Sequence, residues 1–186
     1  MPLTEIKQII QRFKDRKDDT PIALGDTVSR VFALHELLSI CASKLHLFVF
    51  FDEHGESDLF EMLSDDKSSH KLSKFLDRGD VYLLTNDTGK VKALPFIERL
   101  SESAAVRLHI KPLPNRLGIE YQTSKVDNEY VLASPEHLIF LGKYAGGTER
   151  LSEVRAFLNL YDREFYKTLL NFFVISLQRA ERREFE

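Results

Sequence analysis

Glu120, Gln122 and Asp127 fall within the stretch Glu-Tyr-Gln-Thr-Ser-Lys-Val-Asp and carry the side chains most suited to chemistry. Residues two apart on a strand share a face, so Glu120 and Gln122 point the same way, and a hairpin would bring Asp127 close. Two carboxylates and an amide suit a metal or a cationic ligand, but nothing nearby supplies a full ligand set. The alternative is an ordinary polar hairpin face turned to water. His109 and Lys111 also stand two apart and offer an imidazole beside a cation, the ingredients of phosphodiester chemistry. The same two residues also fit as outward side chains of a strand over residues 105–110, which Pro112 and Pro114 interrupt. Lys67, Lys71, Lys74 and Arg78 recur at helical spacing, a basic stripe that is either solvated or in contact with nucleic acid. The Gly-rich residues 142–148 lack the order of a phosphate-binding loop and read as a capped turn with Thr148 as N-cap. The six histidines lie without metal spacing, so neither metal nor cofactor is expected.

The elements that must position these residues follow from periodicity. Leu3, Ile6, Ile9, Ile10 and Phe13 recur as on an amphipathic helix. Ile22-Ala23-Leu24 fits a short edge strand, and Thr27 or Ser29 is placed to cap a second helix. Residues 45–51 form a nearly unbroken apolar run, as in a strand covered on both faces. Helices are expected over 58–63, 67–75 and 94–100, and strands over 81–84 and 105–110. Residues 117–121 and 129–132 pair as a hairpin turning at 125–128, with a further short strand at 139–141. From Glu149 to about Glu181 the apolar spacing predicts one long helix with apolar residues on more than one side. Such a stripe is expected to bury itself either against the chain's own sheet or in a homodimer.

The composition supports one domain: residues 1–20 as an N-terminal helical extension, 22–175 as an α/β core and 179–186 as a charged tail. A net charge of -3 argues against a protein that coats nucleic acid nonspecifically, though a local basic patch remains compatible. Cys41 sits among leucines and fits a buried small hydrophobe in a reducing compartment. With neither a signal-peptide pattern nor a membrane-length apolar run, the expected location is the cytoplasm.

In register, residues 120–127 resemble the His-x-Lys-x4-Asp signature of the phospholipase D-like superfamily. Glu120 stands at the His position, Gln122 at the Lys position, and Asp127 is retained. The resemblance implies a half fold of that superfamily, with a mixed central sheet, helices on both faces and a long C-terminal helix. In the family one His attacks phosphorus, a second protonates the leaving oxygen, and the lysines balance charge. A carboxylate at 120 repels an anionic phosphate and Gln122 carries no charge, so the resemblance implies a vestigial pocket without catalysis. Ala133-Ser134-Pro135 replaces the family's Gly-Ser step, and the literal His109-Ile110-Lys111 meets Arg116, not Asp, seven residues on. Single-motif chains of the family pair about a two-fold axis, which implies a homodimer through the C-terminal helix. The expected function is therefore a binding or scaffold module for an unknown protein or small molecule. The alternatives are a phosphodiesterase or nuclease using His109 and Lys111, or a nucleic-acid-binding protein using the Lys67–Arg78 stripe.

Overall fold

The computed structural model describes residues 3–113, 126–144 and 155–183. In chain order they form α1 (Leu3–Arg16), β1 (Ile22–Leu24), α2 (Thr27–Ile40), β2 (Lys44–Val49), α3 (Asp58–Ser64), α4 (Asp66–Leu76) and β3 (Asp80–Thr85). There follow α5 (Thr88–Lys92), α6 (Pro95–Glu98), α7 (Glu102–Ala105), β4 (Leu108–Pro112), β5 (Val126–Ala133), β6 (His137–Tyr144), β7 (Arg155–Asn159) and α8 (Arg163–Arg183). The described strands make one mixed sheet in the order β1-β7-β6-β5-β2-β3-β4. β2, β3 and β4 run parallel, joined by helical crossovers, while β5 enters antiparallel beside β2 and leads through β6 to β7 and β1. The fold class is mixed α/β, with helices on both faces and a long C-terminal helix.

The period of two along each strand divides the interior. Leu45, Leu47, Val49, Val81, Leu83, Val131, Ile139 and Leu158 join one apolar layer under α1–α7. Phe48, Phe50, Leu84, Tyr130, Leu132 and Leu138 form the opposite layer under α8. That is why β2 carries an unbroken apolar run: both of its faces are covered. Fully burying Phe173 of α8 against this second layer contributes about 2–3 kcal/mol.

Local signals place the helix ends. Asp26 accepts from Ser29 N at 2.7 Å while Ser29 Oγ accepts from Asp26 N, a reciprocal cap that makes Asp26 the N-cap of α2 in place of the expected Thr27 or Ser29. Ser57 and Asp65 cap α3 and α4. Gly79 closes the turn from α4 into β3, where an added Cβ would stand 2.5 Å from the Phe75 ring and 2.7 Å from Ser43 O. Only glycine permits that approach.

Three expectations need correction. The helix foreseen from Glu149 begins only at Arg163, because residues 155–159 form β7, hydrogen-bonded between β6 and β1. The turn expected at 125–128 lies outside the described residues at its start, and from Val126 onward it is strand β5, paired with β6 as far as Tyr144. The strand expected at 105–110 is displaced: Glu102–Ala105 is helical and β4 runs to Pro112. Proline is tolerated there because β4 is the sheet's last strand and Pro112 its final residue.

Candidate functional site

Because β2, β3 and β4 are parallel, their carboxyl ends share one edge of the sheet, and β5 enters from the same edge. A single buried carboxylate organises this edge. Glu129 lies in phase with Val131 and Ala133, so its side chain enters the layer under α1–α7, where it is 3% exposed. Its Oε1 accepts from Ser57 Oγ at 2.5 Å and from Phe50 N at 3.1 Å, and its Oε2 accepts from Leu59 N at 3.1 Å. Phe50 and Leu59 belong to the end of β2 and the first turn of α3, so one side chain ties β5 to both. Burial pushes the Glu129 carboxyl up to about 7 against the pull of these hydrogen bonds, and neighbouring Asp58 adds to the rise. Arg30 stands 3.9 Å from Asp58, and Asn86 clamps the same edge by accepting from Phe51 N and donating to Phe51 O. So enclosed, Glu129 holds structure together and has no open side toward a substrate.

On the other face of the sheet, the parallel register aligns His46 with Tyr82 and Tyr82 with His109. The three rings form a ladder. His46 and Tyr82 stack at 5.3 Å, Tyr82 and His109 at 4.6 Å, and Phe173 of α8 meets His46 edge-on at 5.1 Å. Burial, with Lys44 adding, holds the His46 imidazole down at about 4, and its Nδ1 has no partner among the described residues. His109, foreseen as an outward side chain, is half-buried in this ladder, with Lys111 in phase with it on the same strand.

The basic stripe has a structural role that spacing did not reveal. Arg78 donates to Cys41 O at 3.0 Å and Leu38 O at 3.2 Å, and Lys71 donates to His35 O at 3.3 Å and Ser39 Oγ at 3.1 Å. Arg78 satisfies an open carbonyl at the end of α2, Lys71 braces its last two turns, and both cations stand at the negative end of its dipole. Lys67 and Lys74 remain exposed.

Glu120 and Gln122, and Thr148 as a cap, lie outside the described residues. Asp127 is in β5 opposite Lys143, two residues before Glu129. Ser134, at the position of the family's Gly-Ser step, accepts from Lys44 N at 3.0 Å and Ser43 N at 3.1 Å and so fixes the start of β2. Glu129 is the residue that sequence reasoning missed. Its signal was a lone carboxylate at an inward position of an apolar strand. Among the described residues, no three His, Cys, Asp or Glu side chains gather as a metal site, and no helix is long and apolar enough to cross a membrane.

No family model matches the chain, and no curated protein matches it in sequence. Solved structures do. TrmBL2, an archaeal chromatin protein with a novel mode of DNA binding, aligns with a TM-score of 0.55 at 11% identity, covering 95% of this chain and 61% of that one. The two share a fold, and this chain spans about three fifths of TrmBL2's length. NucT from Helicobacter pylori aligns with a TM-score of 0.44 at 7% identity, over 86% of this chain and 94% of its own. Nuc from Salmonella typhimurium, a phospholipase D family member, gives 0.46 at 10%, over 86% and 95%.

Proposed function

We propose that this chain is a non-catalytic binding module on a phospholipase D-like half fold, acting in the cytoplasm, with Glu120, Gln122 and Asp127 lining a vestigial pocket. The observation that carries the reading is the placement of His109. The one literal His-x-Lys of the chain is stacked at 4.6 Å on Tyr82 within the sheet, and the motif position that should supply a nucleophile carries a carboxylate. Neither arrangement presents a free imidazole to phosphorus. The test is hydrolysis of bis(p-nitrophenyl) phosphate by purified protein. The expected rate equals the buffer blank for the wild type and for His109→Ala. Turnover that His109→Ala or Lys111→Ala abolishes would establish the phosphodiesterase alternative.

The module pairs through α8, whose Val174 and Ile175 stay 37% and 50% exposed while Tyr166 and Phe173 pack on the sheet. Solution mass by light scattering checks this, and a monomer that Ile175→Glu leaves unchanged would end it. The fold shared with TrmBL2 favours a second reading, contact with nucleic acid through the exposed side of α4. Fluorescence anisotropy with a labelled duplex across a salt series tests it, since phosphate contacts weaken steeply with salt.

A further inference from the structure

We infer that the cleft between the last turn of α2 and α4 is a binding site for the phosphate group of a ligand. Leu38 and Ser39 of α2 form one wall, Lys71, Lys74 and Phe75 of α4 the other, and Arg78 closes the end, around a cavity of about 150 Å³. That volume admits a phosphate-sized anion and falls short of the roughly 300–1,000 Å³ typical of whole small-molecule sites. The ligand would therefore insert its phosphate and leave the rest outside.

Three cations and no carboxylate line the cleft among the described residues. Against them stands the negative end of α2, worth only about half a unit charge. The site is also built in advance. Arg78 is held flat by two carbonyls, Cys41 O and Leu38 O, with its guanidinium 5.0 Å from the Phe75 ring. Among the described residues these contacts leave the rest of its donor fork unused, and a fixed fork costs little entropy to bind a tetrahedral oxyanion. Lys71 is likewise fixed by His35 O and Ser39 Oγ. Lys74 differs from both: it makes no hydrogen bond or ion pair among the described residues, so capping α2 does not account for its place on the cleft wall. The field is felt next door, where burial first and Lys71 second hold the His35 imidazole below its ordinary value.

A backbone phosphodiester and a phosphate on a small ligand offer the same chemistry. The inference thus deepens the nucleic-acid reading by naming its contact, and it stands without that reading if the ligand is small. The experiment measures inorganic phosphate by calorimetry and a labelled oligonucleotide by anisotropy, with wild type, Lys74→Ala and Lys92→Ala. The two variants remove the same charge from exposed positions of α4 and α5, but only Lys74 lines the cleft. Circular dichroism confirms that both fold.

Saturable phosphate binding that Lys74→Ala weakens about tenfold, and Lys92→Ala leaves unchanged, is the expected result. If the oligonucleotide follows in parallel, the source is a nucleic-acid backbone. If phosphate binds and the oligonucleotide does not, the ligand is small and the nucleic-acid reading alone fails. Absence of phosphate binding, or equal losses in the two variants, overturns the site. Oligonucleotide binding that Lys74→Ala leaves intact overturns the cleft as the nucleic-acid contact while keeping the nucleic-acid reading.

Discussion

Glu129→Gln removes a charge from the best-enclosed carboxyl among the described residues while keeping its shape. In the wild type, three donors converge on the two oxygens: Phe50 N, Ser57 Oγ and Leu59 N. An amide offers one oxygen and one NH2, so at least one donor then faces another donor in a buried place, at a cost of about 1–3 kcal/mol. That cost does not vary with pH. The wild type's own term does. Its folded-state value of about 7 stands above the ordinary 4.5, so the protonated carboxyl favours the fold fully below about 4.5, and this contribution is lost as pH rises through about 7. The shift is worth about 3 kcal/mol. The stability of wild type relative to Glu129→Gln is therefore expected to be greatest near pH 4.5 and to fall by about 3 kcal/mol toward pH 8, closing the gap or reversing its sign. Other titrating groups occur in both proteins and cancel in the difference. Urea unfolding at half-unit steps, with constant m, measures the gap. A wild-type advantage that grows with rising pH would refute the reasoning, because the three hydrogen bonds would then outweigh burial and keep the folded carboxyl ionised.

Two further outcomes follow from buried polar groups. His46→Phe keeps a ring between Tyr82 and Phe173 and removes the unpartnered Nδ1, so stability at neutral pH is expected to rise by about 1 kcal/mol. Because His46 is held at about 4 against 6.5, wild-type stability from this residue is present above 6.5 and lost as pH falls through 4. The variant's advantage should widen across that window, and urea titrations showing it shrink would count against a neutral buried imidazole. Asn159 donates to Asp19 O and accepts from Tyr161 N and Asp162 N. Asn159→Ala strands these groups and should cost about 2–4 kcal/mol, with faster amide exchange at Tyr161 and Asp162 as its local mark. Unchanged exchange there would contradict the assignment.

The parallel half of the sheet was legible because each strand is a short apolar run bounded by a capped helix. The Leu45–Val49 run carries its signal within a few residues, while the cap of α2 was expected at Thr27 or Ser29 and falls on the adjoining Asp26. β7 was not legible for a physical reason. Val154, Leu158, Tyr161 and Phe165 repeat at three and four, a helical period that runs across the strand. What ends the strand is Asn159, and what starts α8 is Asp162, which accepts from Phe165 N at 2.9 Å. The stop signal lay in two polar residues inside an apolar stretch. At the site, spacing found the basic stripe but not its use as a cap for α2, because the carbonyls of Leu38 and Cys41 are neighbours only in space. Glu129 was hidden similarly: its donors come from residues 50, 57 and 59, far away in sequence.

The pairing of β1 with β7 sets a timetable for biosynthesis. Ile22 meets Leu158 across the ladder, so β1 must wait for a partner strand made far later in the chain. At about 5–20 residues per second that interval lasts on the order of ten seconds. During it, the hydrogen-bonding groups of residues 22–24 stay open to water or to other nascent chains, and a run of only three residues keeps that hazard small.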